Sequence, residues 1–351
     1  MVTKVSIIGG AGYGAAELLR HLISRDDVEI LKVSSKDYIG QTVERVHRSL
    51  WGRANIVIED VPPRACAEGA DIVFLAMPHV VTARVAMELF DKNVRIIDLS
   101  GDFRLQLLEH YIRDYAPEHP CPDRLGTFVY GLPEINAEKI KKARHVACPG
   151  CFATAIALGL LPLAKTGALD GLPVRTVGIT GSSGSGISPQ PSTHHPTRSN
   201  NLKAYKILSH QHCSETVQTL EAAGARGVSL DFVPVSAPLA RGILVVSQMD
   251  LPAGHDRSSL MKLYGDYYQH NELISIMPAD QCAEVVAVAG SARAEIGIDT
   301  NNGDGPGSMT LCCTTAIDNL IKGGAGQAIQ NFNLMTGKPM NYRLDSPGLW
   351  P

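Results

Sequence analysis

No stretch of this 351-residue chain is apolar over the length a bilayer crossing needs, and no basic block interrupts it. The first absence argues against a transmembrane helix. The second, with a net charge of −3, argues against nucleic acid or an anionic membrane as partner. The eight cysteines, Cys66, Cys121, Cys148, Cys151, Cys213, Cys282, Cys312 and Cys313, show no framework of spacings. In a chain this long that indicates reduced thiols and a cytoplasmic setting. Internal repeats and low-complexity tracts are also missing. The opening residues are expected to enter a strand directly, with no signal peptide.

What is present is a chain long enough for two domains with sizeable cores. In its N-terminal part short β-rich runs alternate with helical stretches: residues 5–8, a glycine turn, a helical run over 15–22, then strands over 28–33, 71–76 and 94–99. Continuous apolar strands separated by helices predict a parallel sheet covered on both faces. From about residue 174 the strands become longer and more alternating, over 174–180, 229–235, 242–249, 285–289 and 309–315. These predict a second, α+β domain with a largely antiparallel sheet. Residues 316–335 show helical spacing, broken by glycines at 323, 324 and 326. The polar stretch 181–201 is too long for a plain connection, which favours a functional loop.

Gly9-Gly10-Ala11-Gly12-Tyr13-Gly14-Ala15 lies between the first strand and the first helix. Gly9, Gly12 and small Ala15 give a variant of the dinucleotide fingerprint, whose glycines let backbone approach a pyrophosphate at a helix N-terminus. A tight turn without ligand would look the same. The second strand ends in Ser34-Ser35-Lys36 rather than in the acid that holds an NAD ribose. Two hydroxyls and a cation suit a 2′-phosphate and favour NADP(H), although Asp37 follows at once.

Pro149-Gly150-Cys151 sets a thiol at the mouth of an apolar helix. The free N–H groups and dipole there favour thiolate, the nucleophilic form. Cys148 makes the segment a CxxC, so zinc and dithiol readings stand beside it. The histidine pairs, His194-His195 and His210-Gln211-His212, lie some 60 residues on at spacings that miss structural zinc patterns. No metal is therefore expected.

Taken together, several segments resemble the N-acetyl-gamma-glutamyl-phosphate reductase family and its branch acting on aminoadipyl phosphate. They are residues 9–17, Asp98-Leu99-Ser100-Gly101-Asp102-Phe103-Arg104, Val129-Tyr130-Gly131-Leu132-Pro133-Glu134, Pro149-Gly150-Cys151, His210-x-His212, Arg241-Gly242-Ile243 and residues 316–323. The resemblance runs end to end. It implies a Rossmann-type α/β domain, a catalytic and dimerisation domain, and reduction of an acyl phosphate by NADPH through a Cys151 thioester. Of the histidines, His212 would be the acid/base, with His210 as understudy. Arg104, Arg241, Ser182, Ser183 and Glu215 would serve the substrate, although both arginines would equally suit salt bridges and Glu215 a helix cap. The cofactor would meet Gly9, Gly12, Tyr13, Ala15, Ser34, Ser35, Lys36, Pro78 and Asn319. The implied division is 1–150 with 316–351 for the nucleotide domain and 151–315 for the other, in a homodimer or homotetramer.

Two departures from the family pattern matter. Cys148 stands where asparagine is usual, which suggests either a Cys148–Cys151 redox closure or a simple small-residue replacement. Gln211 replaces an arginine. Residues 192–199 resemble the lysine-pathway branch, where the substrate rides on a small acidic carrier protein; a patch around Arg198, Lys203 and Lys206 would suit one. Aspartate-semialdehyde dehydrogenase and a non-catalytic NADP-binding sensor are the competing functions.

Overall fold

The computed structural model describes residues 2–252, 254–302 and 309–350, and the chain forms two units. The first takes the chain up to Pro149 and again from Gly324 to Arg343. Its strands are β1 (Thr3–Ile8), β2 (Val28–Ser34), β3 (Ile58–Glu59), β4 (Ile72–Leu75), β5 (Arg95–Asp98), β6 (Val129–Tyr130) and β7 (His145–Ala147). They form one sheet in the order β3-β2-β1-β4-β5-β7-β6, parallel at every pairing. All four residues of β4 are buried, as a strand covered on both faces requires. The chain leaves β1 toward β2 on one side and returns to β4 on the other. This reversal opens a crevice beyond the C-terminal strand ends, where doubly wound sheets take their ligands.

The helix Gly326–Met335 completes this unit and is buried at all ten positions, polar ones included. Each buried amide therefore needs a partner. Gln327 and Asn331 both donate to the Gly131 carbonyl at 2.9 Å, and Asn333 Oδ1 accepts from the Arg25 guanidinium at 2.7 Å. That guanidinium also pairs with Asp27 at 2.8 Å and lies 5.0 Å from the ring centres of Phe332 and Tyr342. Arg25 thus clasps the late helix onto the early sheet.

The second unit holds Gly150–Gly323 and the last residues from Leu344. Its strands are β8 (Pro173–Thr180), β9 (Lys203–Ala204), β10 (Ser229–Ser236), β11 (Ile243–Leu251), β12 (Ile274–Ile276), β13 (Ala294–Asn302) and β14 (Met309–Ile317), in the order β12-β13-β14-β11-β8-β10-β9. Four of the six pairings are antiparallel; β8 with β10 and β12 with β13 are parallel, which makes the sheet mixed. Alternation along β8 buries Val174, Thr176 and Gly178 and exposes Arg175 and Val177. The core beneath is filled by the helix Cys151–Thr166, whose residues Phe152 to Ala164 are all buried, and by Leu220, Leu260 and Tyr264.

That helix contains Pro162, which has no N–H to offer the Leu158 carbonyl four residues back. The Tyr268 hydroxyl supplies the missing donor at 2.6 Å. One residue on, the Gly159 carbonyl accepts from Tyr264 Oη at 2.5 Å and from Cys313 Sγ at 3.3 Å. A neighbouring helix and strand thus satisfy the carbonyls beside a helix-breaking residue.

The structure differs from expectation in three places. Residues 285–288 form a short helix, not a strand. Their β-branched residues favour a strand only where a neighbour pairs with them, and packing wins over so weak a propensity. Ala316 and Ile317 finish β14, and residues 321–325 form a π-type turn, so the terminal helix begins only at Gly326. Gly324, at φ −161° and ψ −106°, is what interrupts it. The division of the chain shifts accordingly: the first unit resumes at Gly324, and residues from Leu344 onward return to the second unit.

Candidate active site

In the first unit the loop after β1 is drawn tight onto its neighbours. The N–H groups of Gly9 and Gly10 both donate to the Ser34 carbonyl, at 2.8 and 2.9 Å. Gly9 has φ +96°, and a Cβ there would lie 2.5 Å from the Ala76 carbonyl oxygen, so only glycine fits between β1 and the end of β4. Gly12 caps the helix Tyr13–Leu22 and has open space where a Cβ would stand. The loop thus offers bare backbone and a helix N-terminus, the features a pyrophosphate requires. Ala15 is buried beneath it, while Tyr13 at the helix start is exposed. His47, which no motif marks, donates from Nε2 to the Gly10 carbonyl at 2.8 Å.

The candidates at the end of β2 do not all face the same way. Ser34 is buried, and its hydroxyl points to the Val61 carbonyl at 3.4 Å. Ser35 is half-buried and accepts from the Asp37 N–H at 3.1 Å, and Lys36 is exposed. Pro78 is exposed in the turn that follows β4.

Arg104 is nearly buried; Nε donates to the Cys148 carbonyl at 2.7 Å, and other nitrogens donate to the Leu99 carbonyl at 3.1 Å and Tyr115 Oη at 3.4 Å. It therefore braces the backbone leading to Pro149. The Cys148 thiol is buried beside Asn331 Nδ2 at 3.5 Å, and burial pushes its pKa up to about 12. Such a thiol is a poor nucleophile and a poor redox partner. The environment favours the small-residue reading of Cys148.

In the second unit Cys151 is the first residue of its helix, and Gly150 is the N-cap. Glu215, fully buried, accepts the Gly150 N–H on Oε1 at 2.7 Å. The His212 ring lies against Gly150, where a Cβ would come within 2.2 Å of Nε2. His212 opens the helix His212–Ala223, and its own N–H donates to His210 Nδ1 at 3.2 Å. The two imidazoles are buried with ring centres 4.7 Å apart, and Phe152 packs edge-on to both. Gly323 closes the opposite side, because a Cβ there would lie 2.7 Å from that of Cys151. Cys151, His212, His210 and Glu215 are thus brought together, as a nucleophile with a positioned acid/base requires.

The remaining candidates form a second cluster in this unit. Asn319 accepts the Gly242 N–H on Oδ1 at 2.7 Å and donates from Nδ2 to Ser183 Oγ at 3.0 Å. Ser182 and Ser183 are tied by backbone to Leu239 and Ala240. Arg241 pairs with buried Asp318 at 3.2 Å, and Asp318 also accepts the N–H groups of Gly290, Leu320 and Ile321. Tyr205 lies beside His210. It is half-buried, its ring centre lies 6.0 Å from that of His210, and burial, then the charge of Cys151, pushes its phenol well up. No motif marks it.

Two family descriptions match the chain: "Semialdehyde dehydrogenase, NAD binding domain" over residues 4–143 and "Semialdehyde dehydrogenase, dimerisation domain" over residues 151–319. The chain belongs to the semialdehyde dehydrogenase family, with the N-acetyl-gamma-glutamyl-phosphate and aminoadipyl-phosphate reductases. A relative from Pelotomaculum thermopropionicum named N-acetyl-gamma-glutamyl-phosphate reductase is 35% identical over 100% of both chains. One from Thermomicrobium roseum, assigned as a LysW-L-2-aminoadipate 6-phosphate reductase, is 38% identical over 100% of both. Among solved structures, aspartate semialdehyde dehydrogenase II of Vibrio cholerae shares the fold with a TM-score of 0.72 at 16% identity, over 96% of this chain and 99% of that one. The Candida albicans aspartate semialdehyde dehydrogenase, solved with NADP, has a TM-score of 0.65 at 14% identity, over 96% of this chain and 99% of the other.

Proposed function

We propose that the protein reduces an amino-acid acyl phosphate to its semialdehyde with NADPH, through a thioester on Cys151. The observation that carries this reading is the placement of Cys151 at a helix start whose cap residue is gripped by Glu215 and covered by the His212 ring. His212 takes the thiol proton, and the thiolate attacks the acyl carbonyl carbon. The carbon–sulfur bond forms, the bond to phosphate breaks, and the departing phosphate takes its electron pair and a solvent proton. When bound, NADPH supplies the hydride that reduces the thioester carbonyl. The hemithioacetal oxyanion then expels sulfur, His212 returns the proton to it, and the aldehyde leaves. His210, accepting the His212 N–H, fixes the backbone that presents the acid/base.

The glycine loop and its open helix start support dinucleotide binding, with Gly9, Gly12, Tyr13, Ala15 and the turn at Pro78 around it. Ser35 and Lys36 are the groups placed to meet a 2′-phosphate, which supports NADP; the buried Ser34 hydroxyl supports the strand end instead. In this reading Ser182, Ser183 and Arg241 shape the substrate end of the second unit, Asn319 serves the cofactor, and Arg104 holds the segment that delivers Cys151. N-acetyl-gamma-glutamyl phosphate is the proposed substrate. Carrier-linked aminoadipyl phosphate is the second reading, favoured by the exposed basic residues Lys203 and Lys206 and by the Thermomicrobium relative. The open face of the second sheet, with Val177, Val233 and Val246, would be the contact between subunits of a cytoplasmic homodimer or homotetramer.

The test is the reverse reaction. Semialdehyde with NADP and phosphate should generate NADPH, and Cys151→Ala should abolish it. Absence of a phosphate-dependent signal with both the glutamate- and adipate-derived semialdehydes would overturn the reading, as would full activity in Cys151→Ala.

A further inference from the structure

Val80 is a strained β-branched residue of the first unit. Its φ of 69° with ψ of −47° lies in the rare γ-turn region, which a β-branched side chain strongly disfavours. It ends the turn of residues 77–80 that follows β4, and so stands at the reversal point of the sheet. The same turn is locked to the glycine loop, since Gly9 leaves no room for a Cβ between itself and Ala76 or Met77. Strain of this kind persists only where surrounding contacts over-determine the backbone.

Asp102 provides those contacts. It is fully buried, and Oδ1 accepts the Val80 N–H at 2.8 Å while Oδ2 accepts the Ala83 N–H at 2.7 Å. The Tyr111 hydroxyl also donates to Oδ1, at 2.8 Å. Asp102 is itself anchored, its N–H donating to Ser100 Oγ at 3.1 Å and its carbonyl accepting from His119 Nε2 at 2.9 Å. Burial first, and then its bond to Asp102, drives the Tyr111 phenol well above its usual range, so Tyr111 remains a donor. One carboxylate thus spans the strained residue and the first turn of the helix Val81–Met87.

We infer that Asp102 is a positioning residue of the dinucleotide site: by gripping Val80 and Ala83 it holds the turn of residues 77–80 in the conformation that receives the nicotinamide half of the cofactor. The inference rests on the proposed dinucleotide reading. In a doubly wound sheet the adenosine ribose is met at the end of the second strand, here β2, which leaves the β4 side to the nicotinamide half. Asp102 touches neither cofactor nor substrate in this account. It acts through backbone geometry.

The test compares two ligands on the full chain, NADPH and 2′-phospho-ADP-ribose, which lacks the nicotinamide. D102N keeps the shape but has one acceptor oxygen for two backbone donors. It should weaken NADPH about tenfold and raise its KM in step, while 2′-phospho-ADP-ribose stays within about twofold. In a V80G background, where the strain is gone, D102N should cost NADPH affinity markedly less. Equal weakening of both ligands would show a merely structural role and overturn the inference, as would unchanged NADPH affinity or an undiminished cost in V80G. Should D102N fail to fold, D102N/V80G measured against V80G carries the test: a loss of NADPH affinity well under tenfold yet larger than that of 2′-phospho-ADP-ribose supports the inference, and a full tenfold loss, an equal loss of both ligands or no loss overturns it. If the unsubstituted protein binds neither ligand, the dinucleotide reading itself fails.

Discussion

The His212 imidazole rests directly on the α-carbon of Gly150, leaving 2.2 Å between Nε2 and any Cβ placed there. Gly150 has φ −69° and ψ 150°, values every L-residue adopts, so glycine is required for the ring's sake and not for the backbone's.

Gly150→Ala should therefore fold and yet fail as an enzyme. The added methyl pushes the His212 ring, the proposed acid/base, off its station by about an ångström, and a displacement of that size costs on the order of 100-fold in rate. Turnover in the reverse assay should fall by that factor while circular dichroism and thermal midpoint change little. Retention of full turnover would show that the ring's position is not critical.

Glu215 can be separated into its charge and its acceptor. Glu215→Ala removes the acceptor of a buried N–H and should destabilise the chain by about 1–3 kcal/mol, lowering turnover as well. Glu215→Gln keeps an oxygen for Gly150 and should lose less stability. Denaturant melts of the two variants, compared side by side, give the answer.

Pro162 and Tyr268 should be coupled. Tyr268→Phe leaves the Leu158 carbonyl without its donor, at a cost of about 1–3 kcal/mol. Pro162→Ala restores the helical N–H, so Tyr268→Phe should cost much less in that background. A double-mutant cycle by urea unfolding reads the difference directly.

One buried and one half-buried group give stability opposite slopes with pH. Burial raises the Asp98 carboxyl to about 7, against 3.8 unperturbed. Its contribution is complete below about pH 4 and is lost as pH rises through 7. His145, lowered to about 4 from 6.5 by burial and then by Arg144, contributes above 6.5 and loses that as pH falls through 4. Unfolding free energies across this range should show less loss toward alkaline pH in Asp98→Asn and less toward acid in His145→Gln.

Much of this fold and site was readable from the residues. The glycine loop, the Pro-Gly-Cys turn and the His-x-His pair are local signals, set by neighbours in sequence. What escaped was decided at a distance. Residues 285–288 coil against β14 with no ladder partner among the described residues, and the last helix starts late because Gly324 breaks it. The Ser34 hydroxyl is turned to the Val61 carbonyl, and Arg104 donates to the Cys148 and Leu99 carbonyls and to Tyr115 Oη, contacts made by residues distant in sequence. Tyr205 and His47 carry no motif, since what brings each to its site is the course of a loop.

The late return of residues 324–343 to the first unit has a consequence for synthesis. Roughly 175 residues separate Pro149 from Gly324, on the order of ten to thirty seconds of translation at about 5–20 residues per second. For that interval the nascent sheet lacks Phe332, which packs 5.8 Å from Phe74, and the Gly131 carbonyl waits for Gln327 and Asn331. The emerging chain thus holds an unsealed apolar surface at the ribosome, a period in which chaperones have most to offer it.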